Sequence, residues 1–195
     1  DASGLLADGR WTGRLVIPWA DPWGHIRTVA ARGLTGKTED GAKYLYLKGG
    51  TKPPAFGLDV ALRTPEGKRD LVLVEGLLDV VAFQAQGVLN VAGLGGAGGL
   101  LTKNRWEALA DLGVHQVTLA MDNDAAGRGG LVKAVDNLRN VPDGPVVYVV
   151  DPSDLGEHKD PDELVRAEGR DAWRAILAKR QPGAVWRGQV FLEGI

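Results

Sequence analysis

The 195-residue sequence contains no cysteine. Within this span that excludes a disulfide framework, a cysteine-ligated zinc site and a thiol nucleophile. It also fits a reducing, cytoplasmic location, the compartment expected here. No apolar run approaches the roughly 20 residues that a membrane-spanning helix needs, and no secretory leader opens the chain. Histidine is scarce, and His25, His115 and His158 are too scattered for a zinc site. Methionine does not begin the chain; Asp1 does, so an excised piece of a longer protein is expected. Neither sign of charge dominates, with 23 Lys and Arg against 25 Asp and Glu. The distribution is uneven, however: residues 1–70 carry a net +3 and residues 71–195 a net −5. A mildly basic front beside an acidic back suits a site where carboxylates hold cations and cations meet phosphate.

What is present first is a change of pattern near residue 70. Residues 13–19 and 25–32 are β-prone around the turn Asp21-Pro22-Trp23-Gly24, a hairpin signal. A short strand is expected at Lys43–Leu47 and a short helix over 56–63. Leu71–Val74 is wholly apolar and so reads as a strand buried on both faces. Helices are expected over 77–86, 103–112 and 125–139, alternating with strands over 88–92, 116–121 and 145–150. This alternation predicts an α/β fold, a mainly parallel sheet with flanking helices, preceded by a small β-rich subdomain and followed by a helical segment. The expected divisions are 1–69, 70–166 and 167–195. Residues 161–180 read as two helices split at Gly169, and 184–195 give no assignable pattern.

Three acidic motifs fall where strands end or helices begin. Glu75 follows the strand Leu71–Val74, with Gly76 next and Asp79 four residues on. Ligands bind outside the carboxyl ends of strands in open α/β sheets, although acids here also favour a helix N-terminus. Asp122 and Asp124 lie one residue apart in a D-x-D-x-x-G turn that ends at Gly127. Such a pair suits Mg²⁺, commonly held by one or two carboxylates plus substrate phosphate; Asp124 as a helix cap is the ordinary structural reading. An EF-hand fails, because Ala126 and Lys133 stand at its fifth and twelfth positions. Asp160-Pro161-Asp162-Glu163 is a strong helix start whose acids could also ligate. Asp151 and Asp154 read as solvated loop acids.

Other signals are weaker. Residues 30–38 approach a phosphate-binding loop, but Ala31 replaces its first Gly and no helix pattern follows Thr38. Residues 93–98 fit G-x-G-x-x-G without the later acidic partner, so these glycines are expected to let backbone pass close to a metal site or nucleic acid. The six Trp read mainly as core and turn anchors, with Trp19 and Trp23 kept as candidates for base stacking.

In this order, E-G-x-x-D and then D-x-D-x-x-G on a β/α framework resemble the Toprim domain. The flanking segments resemble the DnaG-type primases: GRLVIPWADPWGHIRTVAARGL, AKYLYLKGG, VEGLLDVVAFQAQGVLNVAGLGG, MDNDAAGRGG and KDPDELVRAEG. Tyr46 stands where that family has Asn. The resemblance implies template-directed synthesis of RNA primers for replication, by a metal-dependent nucleotidyl transfer. It implies Mg²⁺ or Mn²⁺, two ions, held by Glu75, Asp79, Asp122, Asp124, Asp160 and Asp162. Glu75, Asp122 and Asp124 would be catalytic, and Arg32, Lys43 and Lys52 would meet nucleotide or template. The implied partners are a DNA template, ribonucleoside triphosphates, the RNA primer and a replicative helicase, separate or fused as in phage and plasmid primase-helicases. A zinc module and a basic subdomain would lie upstream. The alternatives are a Toprim module that binds nucleotides or DNA without synthesis, and a Toprim nuclease.

Overall fold

The computed structural model describes residues 9–34, 44–96, 102–138 and 141–194. The chain divides into two compact units, residues 1–53 and 54–195. The first holds an antiparallel three-stranded sheet, β1 (Arg14–Ala20), β2 (Ile26–Gly33) and β3 (Tyr44–Tyr46), in that order. The β1–β2 turn is closed by Asp21, whose Oδ1 accepts from the Trp23 and His25 amides at 3.0 Å each. Trp19 is fully buried and so cannot offer a face for stacking, whereas Trp23 is 71% exposed.

The second unit begins with two short helices, α1 (Leu58–Ala61) and α2 (Pro65–Arg69). The single helix expected over 56–63 is shorter than that, and α2 is additional. Thr64 caps α2, accepting from the Gly67 amide at 3.0 Å, and Pro65 occupies its first turn. Then follow β4 (Leu71–Val74), α3 (Leu77–Ala85), β5 (Val91–Gly93), α4 (Lys103–Asp111), β6 (Gln116–Leu119), α5 (Ala125–Leu138) and β7 (Val146–Val149). Next come α6 (Pro161–Lys179), β8 (Gln181–Pro182) and α7 (Gly183–Leu192). The sheet order is β5-β4-β6-β7-β8, parallel except for β8.

Two differences from the sequence reading have clear causes. The strand expected from residue 88 begins at Val91, because the end of α3 consumes Val88: its amide bonds the Phe83 carbonyl and Gly87 turns at φ +75°. The unassigned tail, 184–195, is almost all α7, with Trp186 and Val190 buried against the sheet, and the short β8 before it was not expected. The break in α6 falls at Gly169, at φ 82° and ψ 179°, as the sequence indicated.

Alternation along β4 explains its continuous apolarity. Leu71 and Leu73 join a core with α1, α4, α5 and α7, while Val72 and Val74 join a second core with α3 and α6. A central strand covered on both faces has no polar side to show. Among the described residues no helix is long and apolar enough to cross a membrane.

Candidate active site

Parallel register sets the site. β4 pairs with β6, and β6 with β7, so the loops leaving their carboxyl ends open side by side. Glu75 leaves β4, Asp122 follows β6, and the loop after β7 leads to Asp160 and Asp162.

The glycines of these loops are steric requirements. A Cβ on Gly76 would lie 2.7 Å from the Asp79 carboxylate oxygens, and one on Gly127 only 2.2 Å from the Asp122 carbonyl. A Cβ on Gly93 would meet the Gly76 carbonyl at 2.6 Å. The amides of Gly95 and Gly96 both donate to the Glu75 carbonyl, at 3.0 and 2.9 Å. In the described part of this loop the backbone thus passes close to Glu75 and Gly76.

Several acids also have structural duties. Asp79 accepts from the Gly76 amide at 2.7 Å, half of a capping box. Asp124 accepts from the Gly127 amide at 2.7 Å, and Asp160 from the Glu163 amide at 2.7 Å. Asp162 accepts from Arg166 Nε at 2.8 Å. Capping occupies one carboxylate oxygen and leaves the other to accept elsewhere.

Electrostatics bring these acids together. Burial pushes Asp122 up to about 7, reinforced by the facing charges of Glu75, Asp79, Asp160 and Asp124. Asp79 is also raised, first by burial and then by Asp162 and Asp160, against the pull of the Gly76 amide. Carboxylates gathered from three loops therefore repel one another. Among the described residues no three His, Asp or Glu side chains converge as a ready ion cage. The donors are nonetheless all hard oxygens, the kind that Mg²⁺ or Mn²⁺ prefers, and Arg166 and Lys159 meet only Asp162 and Asp160 at the edge of the group.

Asn123, between the two aspartates, was not singled out in the sequence. Its amide donates to the Lys159 carbonyl at 2.7 Å, and its side-chain Nδ2 to the Gly156 and His158 carbonyls at 3.3 Å each. It latches the β6 loop to the loop that presents Asp160. The D-x-D spacing draws the eye to the acids and hides this contact, whose partners lie more than 30 residues away.

Asp151 is not a solvated loop acid. It accepts from Ser153 Oγ at 2.6 Å and Trp186 Nε1 at 2.7 Å, and pairs with Arg128 at 3.6 Å. Burial alone would raise it; these contacts outweigh burial and hold it below the usual carboxylate range. Asp154 pairs with Lys179 at 3.8 Å.

The cationic candidates belong to the first unit. Arg32 Nη1 donates to the Tyr44 hydroxyl at 3.0 Å, and Lys52 Nζ lies 3.3 Å from the Tyr46 ring centroid. The Tyr44 and Tyr46 rings stack at 6.4 Å. Lys43 falls outside the described residues.

The Toprim-like family matches residues 72–165, from β4 into α6. The DNA primase of Pseudomonas aeruginosa is 34% identical over 198 residues, covering 92% of this chain and 28% of that protein. The chain carries a Toprim-like domain homologous to that of the DNA primases. A crystal structure of a DNA primase domain from the same organism superposes with a TM-score of 0.77 at 31% identity, covering 94% of this chain and 57% of that one. The DnaG primase catalytic domain bound to single-stranded DNA superposes at 0.74 with 26% identity, covering 94% and 56%. This Toprim-bearing chain thus spans less than a third of the curated relative and just over half of each solved chain. The match covers the N-terminal β-sheet as well as the Toprim-like segment.

Proposed function

We propose that this chain is part of a DNA primase and that its carboxylate cluster serves template-directed synthesis of RNA primers. The observation that carries the reading is Asp122, half-buried at a strand end and faced by Glu75, Asp79, Asp160 and Asp124. A purely structural acid at that position would be given a cation or amide donors instead. Similarity to primases over more than nine-tenths of the chain favours primer synthesis over a nuclease or a non-synthetic module.

In this reading Asp122 and Asp124, with Asp160 and Asp162, would hold Mg²⁺ or Mn²⁺. Bound there, two such ions would stabilise charge on the attacking and leaving oxygens of nucleotidyl transfer. Glu75 would take the proton of the primer 3′-hydroxyl or hold it toward the incoming ribonucleotide, and Asp79 would support Glu75 from the first turn of α3. Asp124 and Asp160 are fixed by the amides they cap, so their remaining oxygens would be presented without further ordering. Arg32, Lys43 and Lys52 would meet the phosphates of nucleotide or template. The template would be single-stranded DNA, as in the related catalytic domain, and a replicative helicase, separate or fused, is the expected partner.

The test is primer synthesis with labelled ribonucleotides by the full-length protein, in Mg²⁺ and in Mn²⁺. Template-dependent RNA products that vanish in Glu75→Gln support the reading. An absence of products in either metal, or undiminished products from Glu75→Gln, would sink it.

A further inference from the structure

At the opposite end of the sheet, below the amino ends of β4 and β5, the structure holds a cavity of about 350 Å³. It lies between the start of α2, the α3–β5 loop and the second half of α6. Its volume falls within the range of small-ligand sites, and no part of the carboxylate cluster lines it. Arg170 and Arg174, one helical turn apart on α6, both line it. Among the described residues both pair with the highly exposed Asp171, at 4.0 and 3.0 Å. An ion pair so exposed is weak, so both guanidinium groups are available to an incoming anion.

The remaining wall is chemically mixed. Val88, Leu89 and Leu177 provide the apolar surface, while Trp173 is fully buried and braced edge-on by Phe83 at 4.9 Å. Its indole Nε1 is buried with no hydrogen-bond partner, and such donors ordinarily find one. Glu66 adds a carboxylate that accepts from hydroxyl groups. Asn90 gives its Nδ2 to the Asp70 carbonyl at 2.9 Å and keeps its amide oxygen as an acceptor.

We propose that this cavity binds a small organic anion with a hydroxylated, flat apolar body, the chemistry of a nucleoside monophosphate. The phosphate meets Arg170 and Arg174, the hydroxyls meet Glu66, and the flat body lies against the wall of Val88, Leu89 and Leu177 with its donors toward Asn90. A bare inorganic anion would leave the apolar wall and Glu66 unused, and a neutral nucleoside would leave the arginines unused. The site stands apart from the metal chemistry, so it does not depend on the primase reading.

The experiment uses the chain in EDTA, titrated with AMP, inorganic phosphate or adenosine, and followed by amide chemical shifts. AMP is expected to move the Gly87, Val88 and Asn90 amides and leave those of Glu75 and Asp122 in place. Phosphate and adenosine should each bind at least tenfold more weakly. The double variant Arg170→Gln/Arg174→Gln should lose AMP binding at least tenfold with an unchanged thermal midpoint, since both side chains are more than half exposed. Asp122→Asn should bind AMP as the wild type does, which separates this site from the carboxylate cluster. The proposal falls if millimolar AMP leaves the loop amides unmoved, if phosphate binds as tightly as AMP, or if the arginine pair makes no difference.

Discussion

Asp70 and Asp122 stand at the two ends of one parallel sheet, and the fold treats them oppositely. Asp70, just before β4, accepts from Thr118 Oγ1 at 2.8 Å and forms a short, direct ion pair with Arg180. Arg180 in turn lies 5.0 Å from the Tyr148 ring centroid. Asp122, just beyond β6, is met by four other acids. Neither is fully buried, so burial alone does not explain the contrast. What differs is the company: at the amino end the carboxylate ties β4, β6 and the end of α6 together, while at the carboxyl end Asp122 faces other carboxylates. Mutual repulsion of this kind costs folding energy, which is why the proposed function places a cation and a substrate at this end.

The sharpest break in this comparison is kinetic. Glu75→Gln and Asp122→Asn in the full-length protein should each cut primer synthesis by roughly 10²–10⁴-fold, the usual worth of a proton-transferring or metal-holding group. DNA binding should change little, because neither side chain attracts phosphate. Asp70→Asn should retain most of the synthesis. If Asp70→Asn matched the loss in Asp122→Asn, the two ends would not be distinct in function.

The order reverses for stability. Asp70→Ala leaves Arg180 partly buried without its partner and Thr118 without its acceptor, and should cost about 2–4 kcal/mol. Asp122→Asn removes repulsion and should be neutral or slightly stabilising at pH 8. Urea midpoints of the three proteins decide this, and an Asp122→Asn variant less stable than Asp70→Ala would overturn the assignment.

Much of this contrast was visible in the sequence, and some of it could not be. The run Leu71–Val74 announced a doubly covered strand, and the motifs at Glu75, Asp122 and Asp160 each marked an end of a strand or the start of a helix. Local rules suffice for such features, because strand ends and caps are written in neighbouring residues. The same rules mistook Asp151 for a loop acid, since Trp186 and Arg128 come from distant helices. They also passed over Asn123 and Arg180, whose partners lie 33 and 110 residues away. β8 was missed for a related reason: it is two residues long and exists only by pairing with Tyr148 and Val149, and the tail helix after it is held by Trp186 and Val190 packing on distant strands.

Protons should compete with the cation at one end only. Asp122 titrates near 4 in an unfolded chain and at about 7 in the fold. The folded state therefore binds more protons between those values, and its stability falls as pH rises through that window, then levels off. With the group about half exposed, the total change should be on the order of 1–2 kcal/mol. Mn²⁺ affinity should move the other way, rising about tenfold from pH 6 to pH 8 as one proton ceases to compete. Calorimetry at both pH values checks this, and in Asp122→Asn the stability slope should be reduced to what Asp79 contributes and most of the Mn²⁺ affinity should be gone. A pH-independent Mn²⁺ affinity in the wild type would mean that Asp122 is not in the ion's path.

The smallest effect tests what holds the carboxyl end together. Asn123→Ala removes the two side-chain bonds to the Gly156 and His158 carbonyls but keeps its amide bond to Lys159. Both lost bonds are long and partly exposed, so the stability cost should be only about 1 kcal/mol. Its consequence for the site should be larger than that figure suggests. The Asp122–Asp124 loop and the loop presenting Asp160 are joined through Asn123, and carboxylates that repel will separate once the latch is weakened. The expected signature is a Mn²⁺ affinity reduced several-fold, with synthesis largely restored at saturating metal. Asn123→Asp, a near-isostere that loses the donor and adds a fifth acid to Asp122's surroundings, should be worse than Asn123→Ala. If Asn123→Ala instead lowers synthesis equally at all metal concentrations, the residue acts on substrate rather than on the placement of the two loops.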